Sequence, residues 1–282
     1  MRVTLLAGAA MLACPAESGW AQSRRGLPSG GRMRAYWVDA PAVPARTGRR
    51  AVVIFLHGDG GTARRAAARS GLGRYAHARG FIAVYPEGTS MLGIPWRSWN
   101  AGACCGYAAA HRVDDTAFLD AVIDAVIRDE DGDPGRVYVA GVSNGGMMAH
   151  RAACELAGRV AAVASVAGTL AVEECRPAAP VSILEIHGTA DRRVPYGGGY
   201  PADGDSERLD RPVGEVMAFW ARHNGCRGEP ERREDASLRH ERYRGCAAGA
   251  AVELLSIRGA GHAWPGDVVS PAERMLEFFA LQ

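Results

Sequence analysis

This chain has little excess of positive charge. Its 282 residues carry a formal net charge of +2, and arginines alternate with acidic residues without forming a basic stripe. Nucleic acids are bound mainly through clustered positive charge, so we do not expect a nucleic-acid partner. The C-x-x-C and H-x-x-x-H spacings typical of zinc sites are also missing near the cysteines. We therefore expect no metal at the cysteines, and the chemistry inferred below needs no metal or cofactor.

Internal repeats, linkers and low-complexity blocks are absent as well, which argues for one folded domain over residues 22–282. Hydrophobic residues make up 48% of the chain and charged residues 23%, proportions typical of a globular protein. Many α/β proteins of this length fold as one domain. The oligomeric state does not follow from these numbers.

The N-terminal stretch, residues 1–21, has the pattern of a secretory signal peptide. Arg2 precedes an apolar run over residues 3–12, and a small-x-small cleavage site ends at Ala21. The run is too short to anchor the chain stably in a bilayer. We expect a secreted or periplasmic protein. The alternative is a lipoprotein lipidated at Cys14, against which the bulky leucine two residues earlier argues.

Six cysteines remain outside that segment, an even number suited to disulfides in an oxidising compartment. Cys154 and Cys175 flank a loop and form one candidate pair. Cys226 and Cys246 bracket an arginine- and glutamate-rich hairpin and form another. Cys104 and Cys105 are adjacent, so either one of them ties its loop to another region or the two close a vicinal bond.

Short apolar runs alternate with helix-compatible segments, which predicts an α/β fold with a mostly parallel central sheet and helices on both faces. Residues 22–32 are expected to form a polar leader. The predicted strands are residues 34–38, 51–56, 81–85, 137–140, 160–166, 181–187 and 252–257. The main predicted helices are residues 63–79, 144–156, 213–224 and 271–281, with a further helix capped by Asp114 or Asp115.

A buried strand over residues 137–140 runs directly into Gly141-Val142-Ser143-Asn144-Gly145 and then into a helix. This is the G-x-S-x-G nucleophile elbow, in which a strained turn exposes a serine hydroxyl. The two glycines leave room where side chains would collide with the neighbouring strand and helix. Ser143 is the candidate nucleophile, and the backbone N–H of Asn144 is a candidate donor to an oxyanion.

A second glycine-rich turn, His57-Gly58-Asp59-Gly60-Gly61, follows the strand of residues 51–56. The loop at this position of an α/β hydrolase donates the second oxyanion N–H, and Asp59 is the candidate. The alternative is a tight turn without a catalytic role.

Two further loops at strand ends hold an acid and a base. Asp191 follows the strand of residues 181–187, and His262 lies in a glycine-flanked loop after the last strand. With Ser143 they occur in the chain order nucleophile, acid, base. Asp191 could instead serve only in an Asx turn. His150 lies two helical turns past the serine, roughly 10 Å away by the helical rise, so it cannot be the base.

Residues 87–112 form a long loop without periodicity, and loops of this length are usually functional. Its aromatic residues Trp96, Trp99 and Tyr107 could form one wall of a substrate cleft or a small core of the loop itself. Trp99 is the candidate for substrate binding. The paired carboxylates that follow the loop are expected to cap a helix rather than to act as acid and base.

Together these motifs resemble those of the secreted polyhydroxybutyrate depolymerase-like esterases, which adjoin feruloyl and acetyl xylan esterases within the α/β-hydrolase superfamily. The resemblance covers nearly all of the chain after residue 21. The matching segments are His57-Gly58-Asp59-Gly60-Gly61, Cys104-Cys105-Gly106 with Asp114-Asp115, Gly141-Val142-Ser143-Asn144-Gly145-Gly146, His187-Gly188-Thr189-Ala190-Asp191 with Val194-Pro195-Tyr196, and Gly261-His262-Ala263-Trp264-Pro265-Gly266.

The resemblance implies an α/β-hydrolase fold and a carboxylic ester hydrolase with Ser143 as nucleophile, Asp191 as acid and His262 as base. It also implies that Trp264 lines the cleft. The expected substrates are hydroxyalkanoate oligomers or polyester, or feruloyl and acetyl esters of polysaccharides, cleaved through an acyl-enzyme. The alternatives are a serine peptidase on the same scaffold and a non-catalytic binding protein on a degenerate hydrolase fold.

Overall fold

A computed structural model describes residues 22–41, 48–92, 94–202 and 208–282; the predicted signal segment lies outside these ranges. Within them, ten strands form one sheet in the order β1-β2-β4-β3-β5-β6-β7-β10-β9-β8. The strands are β1 Ser23–Ser29, β2 Arg32–Asp39, β3 Arg50–Leu56, β4 Ile82–Pro86, β5 Gly132–Val142, β6 Ala162–Val166, β7 Ser182–Gly188, β8 Arg227–Glu234, β9 Leu238–Arg244 and β10 Val252–Ile257.

The six central strands, from β4 to β10 in that order, are parallel to their neighbours, whereas both edges are antiparallel. The parallel strands are buried almost without interruption. Because both faces of a parallel sheet are covered by helices, such strands are near-continuous apolar runs. The prediction of a mostly parallel central sheet is therefore confirmed.

Helices cover both faces, and alternate residues of each strand face opposite layers. Val52, Ile54 and Leu56 pack into one layer, and Val53 and Phe55 pack into the other. The first layer contains α4 Asp115–Asp129, α5 Asn144–Glu155 and α6 Val213–His223, and the second contains α1 Ala63–Ser70, α2 Leu72–Ala78 and α7 Pro271–Phe279. A short helix, α3 Gly106–Ala110, lies in the long loop.

Two local expectations were wrong. The segment expected to be a polar leader is strand β1, which pairs antiparallel with β2. Its residues are mostly exposed because it is an edge strand, so it lacks the apolar pattern of the core. The single helix expected over residues 63–79 is two helices, separated by Gly71 in the left-handed conformation, with φ of +63°.

The charged hairpin of β8 and β9 extends the main sheet through β10, and a disulfide between Cys226 and Cys246 closes its base. A second disulfide joins Cys154 of α5 to Cys175. The third joins the adjacent residues Cys104 and Cys105, which is the vicinal alternative.

The carboxyl ends of the parallel strands meet at one edge of the sheet. The loops that follow β3, β5, β7 and β10 lie at this edge, and ligands of open α/β sheets bind there. Among the described residues, none of the helices has the length and apolar character needed to cross a bilayer.

Candidate active site

Ser143 lies in the turn between β5 and α5, with φ of 56° and ψ of −123°. A positive φ is costly for a residue with a side chain, and such strain persists where the surroundings fix it. The Ser143 N–H donates to the carbonyl oxygen of Val166 at 2.8 Å. A Cβ on Gly141 would strike the backbone of Gly145, and a Cβ on Gly145 would strike the carbonyl of Leu56. Both glycines are therefore required by the close packing of the turn.

His262 bridges Ser143 and Asp191. Its Nε2 lies 2.9 Å from Ser143 Oγ, and its Nδ1 lies 2.8 Å from Asp191 Oδ2. Ser143 and His262 are 119 positions apart in the chain, and Asp191 lies between them in sequence. The structure thus brings the three predicted side chains into one hydrogen-bonded row.

Asp191 is held by more than His262. Its Oδ1 accepts the backbone N–H groups of Arg193 at 2.9 Å and Val194 at 3.0 Å, so the Asx turn and the contact to His262 coexist. Its Oδ2 also lies 3.4 Å from His187 Nε2. Burial by itself raises the pKa of Asp191, but the contacts from His187 and His262 bring that pKa well below its usual range.

Beneath Asp191 lies a buried chain of charged groups. His187 Nδ1 donates to Glu185 Oε1 at 3.0 Å, and Glu185 Oε2 accepts from His150 Nε2 at 3.2 Å. Trp220 donates its indole N–H to His150 Nδ1 at 3.1 Å, which leaves the proton of a neutral His150 on Nε2. Burial by itself lowers the pKa of His187, but the carboxylates of Asp191 and Glu185 raise it to about 10.

His187 is therefore an imidazolium between two carboxylates. Burial alone raises the pKa of Glu185, yet its hydrogen bonds from His150 and His187 bring that pKa below its ordinary value. The sequence patterns gave Glu185 no role. The available signal was a carboxylate in the middle of an apolar strand, because a buried charge requires a partner.

The two candidate oxyanion donors lie on either side of Ser143. Asn144 begins α5, where the first N–H groups of a helix have no intrahelical acceptor. Asp59 lies in the turn after β3, where Gly61 N–H donates to Gly58 O at 3.0 Å and Gly60 N–H donates to Arg97 O at 2.8 Å. In the part of the chain that the structure describes, neither the Asn144 N–H nor the Asp59 N–H has an acceptor.

Trp99 does not lie in the wall of the cleft, which corrects its assignment to substrate binding. The side chain is fully buried, and its indole N–H donates to the carbonyl oxygen of His57 at 2.9 Å. The Asn144 side chain pairs with the Trp99 backbone, accepting from its N–H at 2.7 Å and donating to its carbonyl at 3.0 Å. Trp99 therefore connects the long loop to the turn after β3 and to the start of α5.

A cleft of about 810 Å³ opens above Ser143 and His262. Trp264 lines it, as the resemblance implied, and packs edge-on against Phe55 with 5.7 Å between ring centroids. Trp96 also lines the cleft and is 60% exposed. Of the aromatic residues of the long loop, Trp96 therefore lines the cleft and Trp99 lies in the core, a difference that the pattern of a loop without periodicity does not predict.

His57 has a structural role at the edge of the cleft. Its Nδ1 donates to the carbonyl oxygen of Gly58 at 2.8 Å, and its Nε2 accepts the N–H of Gly88 at 3.0 Å. Burial lowers the pKa of His57 to about 4, so the ring is neutral near pH 7.

Asp114 caps α4 by accepting the N–H of Ala117 at 2.9 Å, as expected.

Comparison with solved structures identifies the fold. An acetyl xylan esterase from Aspergillus awamori superposes with a TM-score of 0.65 at 15% identity, covering 92% of this chain and 100% of that one. An S-formylglutathione hydrolase from Agrobacterium tumefaciens superposes with a TM-score of 0.60 at 14% identity, covering 92% and 94%. These similarities confirm the predicted α/β-hydrolase fold.

The chain is a carboxylic ester hydrolase built on this fold. It belongs to the family described as esterase PHB depolymerase, whose sequence profile matches residues 35–195. A protein named NocK from Nocardia uniformis subsp. tsuyamanensis is 33% identical over 255 residues, which cover 84% of this chain and 72% of that protein. Feruloyl esterase B of Piromyces equi is 36% identical over 191 residues, which cover 65% of this chain but only 34% of that protein.

Proposed function

We propose that the chain hydrolyses carboxylic esters in two steps through an acyl-enzyme on Ser143. His262 takes the proton of the serine hydroxyl as the oxygen attacks the ester carbonyl, and it then gives this proton to the leaving alcohol. The observation that carries the proposal is the hydrogen-bonded row, with 2.9 Å from His262 Nε2 to Ser143 Oγ and 2.8 Å from Nδ1 to Asp191 Oδ2.

Asp191 orients the imidazole and stabilises the imidazolium that forms during attack. Its second oxygen is occupied by two backbone N–H groups, so the carboxylate cannot rotate away from His262. Its lowered pKa keeps it ionised throughout the neutral range. An ionised, fixed carboxylate is the state this role requires.

The backbone N–H groups of Asp59 and Asn144 hold the negative charge of the tetrahedral intermediate. Both lack an acceptor within the described ranges, and one lies at the N-terminus of a helix, where the dipole favours negative charge. Donors fixed before the reaction contribute more than donors that must reorient. Water then attacks the acyl-enzyme by the same route, with His262 as base.

The names of the relatives support a choice of substrate class. Proteins named as feruloyl esterases and as a bifunctional acetylxylan esterase/xylanase match parts of this chain, and the family itself is described by PHB depolymerase. We propose feruloyl or acetyl esters of polysaccharides, or hydroxyalkanoate oligomers, as substrates. The cleft volume of about 810 Å³ is typical of clefts that bind small molecules.

We further propose that the protein is exported. Three disulfides within the described residues suit an oxidising compartment, since thiols are kept reduced in the cytosol. Two of these disulfides join residues that are 21 and 20 positions apart in the chain, near the ends of α5 and α6.

The Ser143→Ala variant tests the mechanism, with 4-nitrophenyl acetate as substrate. We expect kcat to fall by about 10⁴-fold or more, as for other nucleophile knockouts, while the melting temperature stays within a few degrees. Ser29→Ala, in edge strand β1, is the matched control and should hydrolyse the ester as the wild type does. Turnover by Ser143→Ala close to the wild-type rate would exclude Ser143 as the nucleophile.

A further inference from the structure

Helix α1 presents two arginines to the cleft. Arg65 and Arg69 both line it, together with Ser143 and His262. We propose that these two guanidinium groups bind a carboxylate of the substrate, so that the enzyme prefers esters that carry a second, free carboxylate. This inference rests on the proposed function, because it assigns a substrate class to the same site.

The first argument is the position of the two residues on the helix. Residues four apart lie on one face of a helix, about 5–6 Å from each other. Arg65 and Arg69 are exposed, whereas Ala66 and Ser70 beside them are buried against the fold. The two charges therefore point together toward solvent at the wall of the cleft, at a spacing that one carboxylate can bridge.

The second argument is the absence of a counter-ion. Helix α1 contains no acidic residue, and within the described ranges neither Arg65 nor Arg69 makes an ion pair or a side-chain hydrogen bond. Like charges at this spacing repel each other and weaken a helix. A pair that weakens its own helix and neutralises nothing nearby is available for an external anion.

The third argument is the charge of the surrounding cleft. Arg208 also lines it, but its guanidinium is neutralised by Asp210, with 2.7 Å from Nη2 to Oδ2. Among the described lining residues Asp59 is the one carboxylate, and its Oδ2 accepts the indole N–H of Trp96 at 2.9 Å. The potential in the cleft is therefore positive, which attracts and orients an anionic substrate.

The fourth argument is the chemistry of the ligand. Guanidinium groups bind carboxylates through short, charge-assisted and often bidentate hydrogen bonds. Trp264 lines the same cleft and offers apolar surface to a short carbon chain. The arrangement fits a half-ester of a dicarboxylic acid, or a short oligoester that ends in a free carboxylate.

The experiment compares two substrates of equal length: mono-4-nitrophenyl adipate, which carries a free carboxylate, and its methyl ester, which is neutral. The quantity measured is the ratio of their kcat/KM values. We expect the wild type to favour the anionic substrate, and we expect the ratio to fall about tenfold in Arg65→Ala/Arg69→Ala, mainly through KM. Alanine favours helix, so this variant should fold.

Arg64→Ala is the matched control, because Arg64 lies on the same helix but does not line the cleft. It should leave the ratio within twofold of the wild type. A ratio unchanged in the double variant, or lowered equally by Arg64→Ala, would overturn the proposal. Raising the salt concentration should reduce the preference as well, because exposed charges are screened over about 8 Å at physiological ionic strength.

A binding measurement separates this proposal from the proposed function. Calorimetric titration of Ser143→Ala with monomethyl adipate should show binding at least tenfold tighter than dimethyl adipate, and the difference should vanish when Arg65→Ala/Arg69→Ala is added. Equal binding of the two compounds would refute the carboxylate site even if catalysis proceeds as proposed. Absence of hydrolysis of both nitrophenyl esters by the wild type would refute the mechanism while this titration still tests the carboxylate site.

Discussion

The charges beneath His262 and the charges at the mouth of the cleft follow opposite rules. Beneath the histidine, Asp191, His187 and Glu185 are buried, and each contacts an oppositely charged group within 3.4 Å. At the mouth, Arg65 and Arg69 are exposed and have no counter-ion among the described residues. The buried groups are partners of one another, whereas the exposed pair is available to a ligand.

This difference separates two uses of charge in one site. A charge removed from water must be compensated inside the protein. The buried row of Asp191, His187 and Glu185 is therefore fixed and can orient a catalytic group. An exposed charge keeps its hydration and needs no internal partner. Substitutions in the buried row should therefore affect rate and stability, whereas substitutions at the mouth should affect the choice of substrate.

Breaking the buried row at Asp191 should have the largest effect. In Asp191→Asn we expect kcat for 4-nitrophenyl acetate to fall by about 10⁴-fold, since the amide no longer stabilises the imidazolium or fixes its tautomer. Steady-state kinetics measure this loss. Asp235→Asn, in the exposed turn before β9, is the control and should keep wild-type kinetics. A loss below tenfold in Asp191→Asn would refute the role of Asp191.

Removing Glu185 should have the next largest effect, on stability. Glu185→Ala leaves His187 and His150 without their shared carboxylate, and breaking a buried ion pair by deleting one partner costs about 3–5 kcal/mol. Urea denaturation measures the free energy of unfolding. Glu155→Ala removes an ion pair with Arg151 at 2.7 Å that is partly exposed, and it should cost no more than about 1 kcal/mol. Equal losses in the two variants would contradict the contrast between buried and exposed charges.

The last predicted effect is a pH dependence of stability that develops toward alkaline pH. The pKa of His187 is raised in the fold from 6.5 to about 10, so its ion pairs stabilise the fold fully below about pH 6.5. This contribution is lost as the pH rises through about 10. Between about pH 6.5 and pH 10, the free energy of unfolding should fall less steeply with rising pH in His187→Gln than in the wild type. The exposed control His111→Gln should follow the wild-type curve, and parallel curves for all three proteins would refute the cationic state of His187.

Much of the fold could be predicted from the sequence because the parallel core is buried on both faces. After its first residue strand β3 is a continuous apolar run, and a glycine-rich turn marks its end. The edges were less predictable. Strand β1 is held by backbone pairing with β2, and its side chains are mostly exposed, so its hydrophobicity gives no indication of a strand.

The candidate site could likewise be predicted only in part. Ser143, Asp191 and His262 each follow a predicted strand, and their chain order is that of an α/β hydrolase. The imidazolium of His187 could not be predicted, because Glu185 in β7 and His150 in α5 approach it only through tertiary packing. The burial of Trp99 likewise depends on the approach of Asn144 and His57 to its loop.

Labelling with a fluorophosphonate probe, followed by peptide mass spectrometry, tests most directly whether Ser143 is the nucleophile activated by His262 and Asp191. We predict one adduct per chain, on the peptide that contains Ser143, with no adduct in Ser143→Ala and much slower labelling in Asp191→Asn. An adduct on a different residue, or undiminished labelling of Ser143→Ala, would contradict the account.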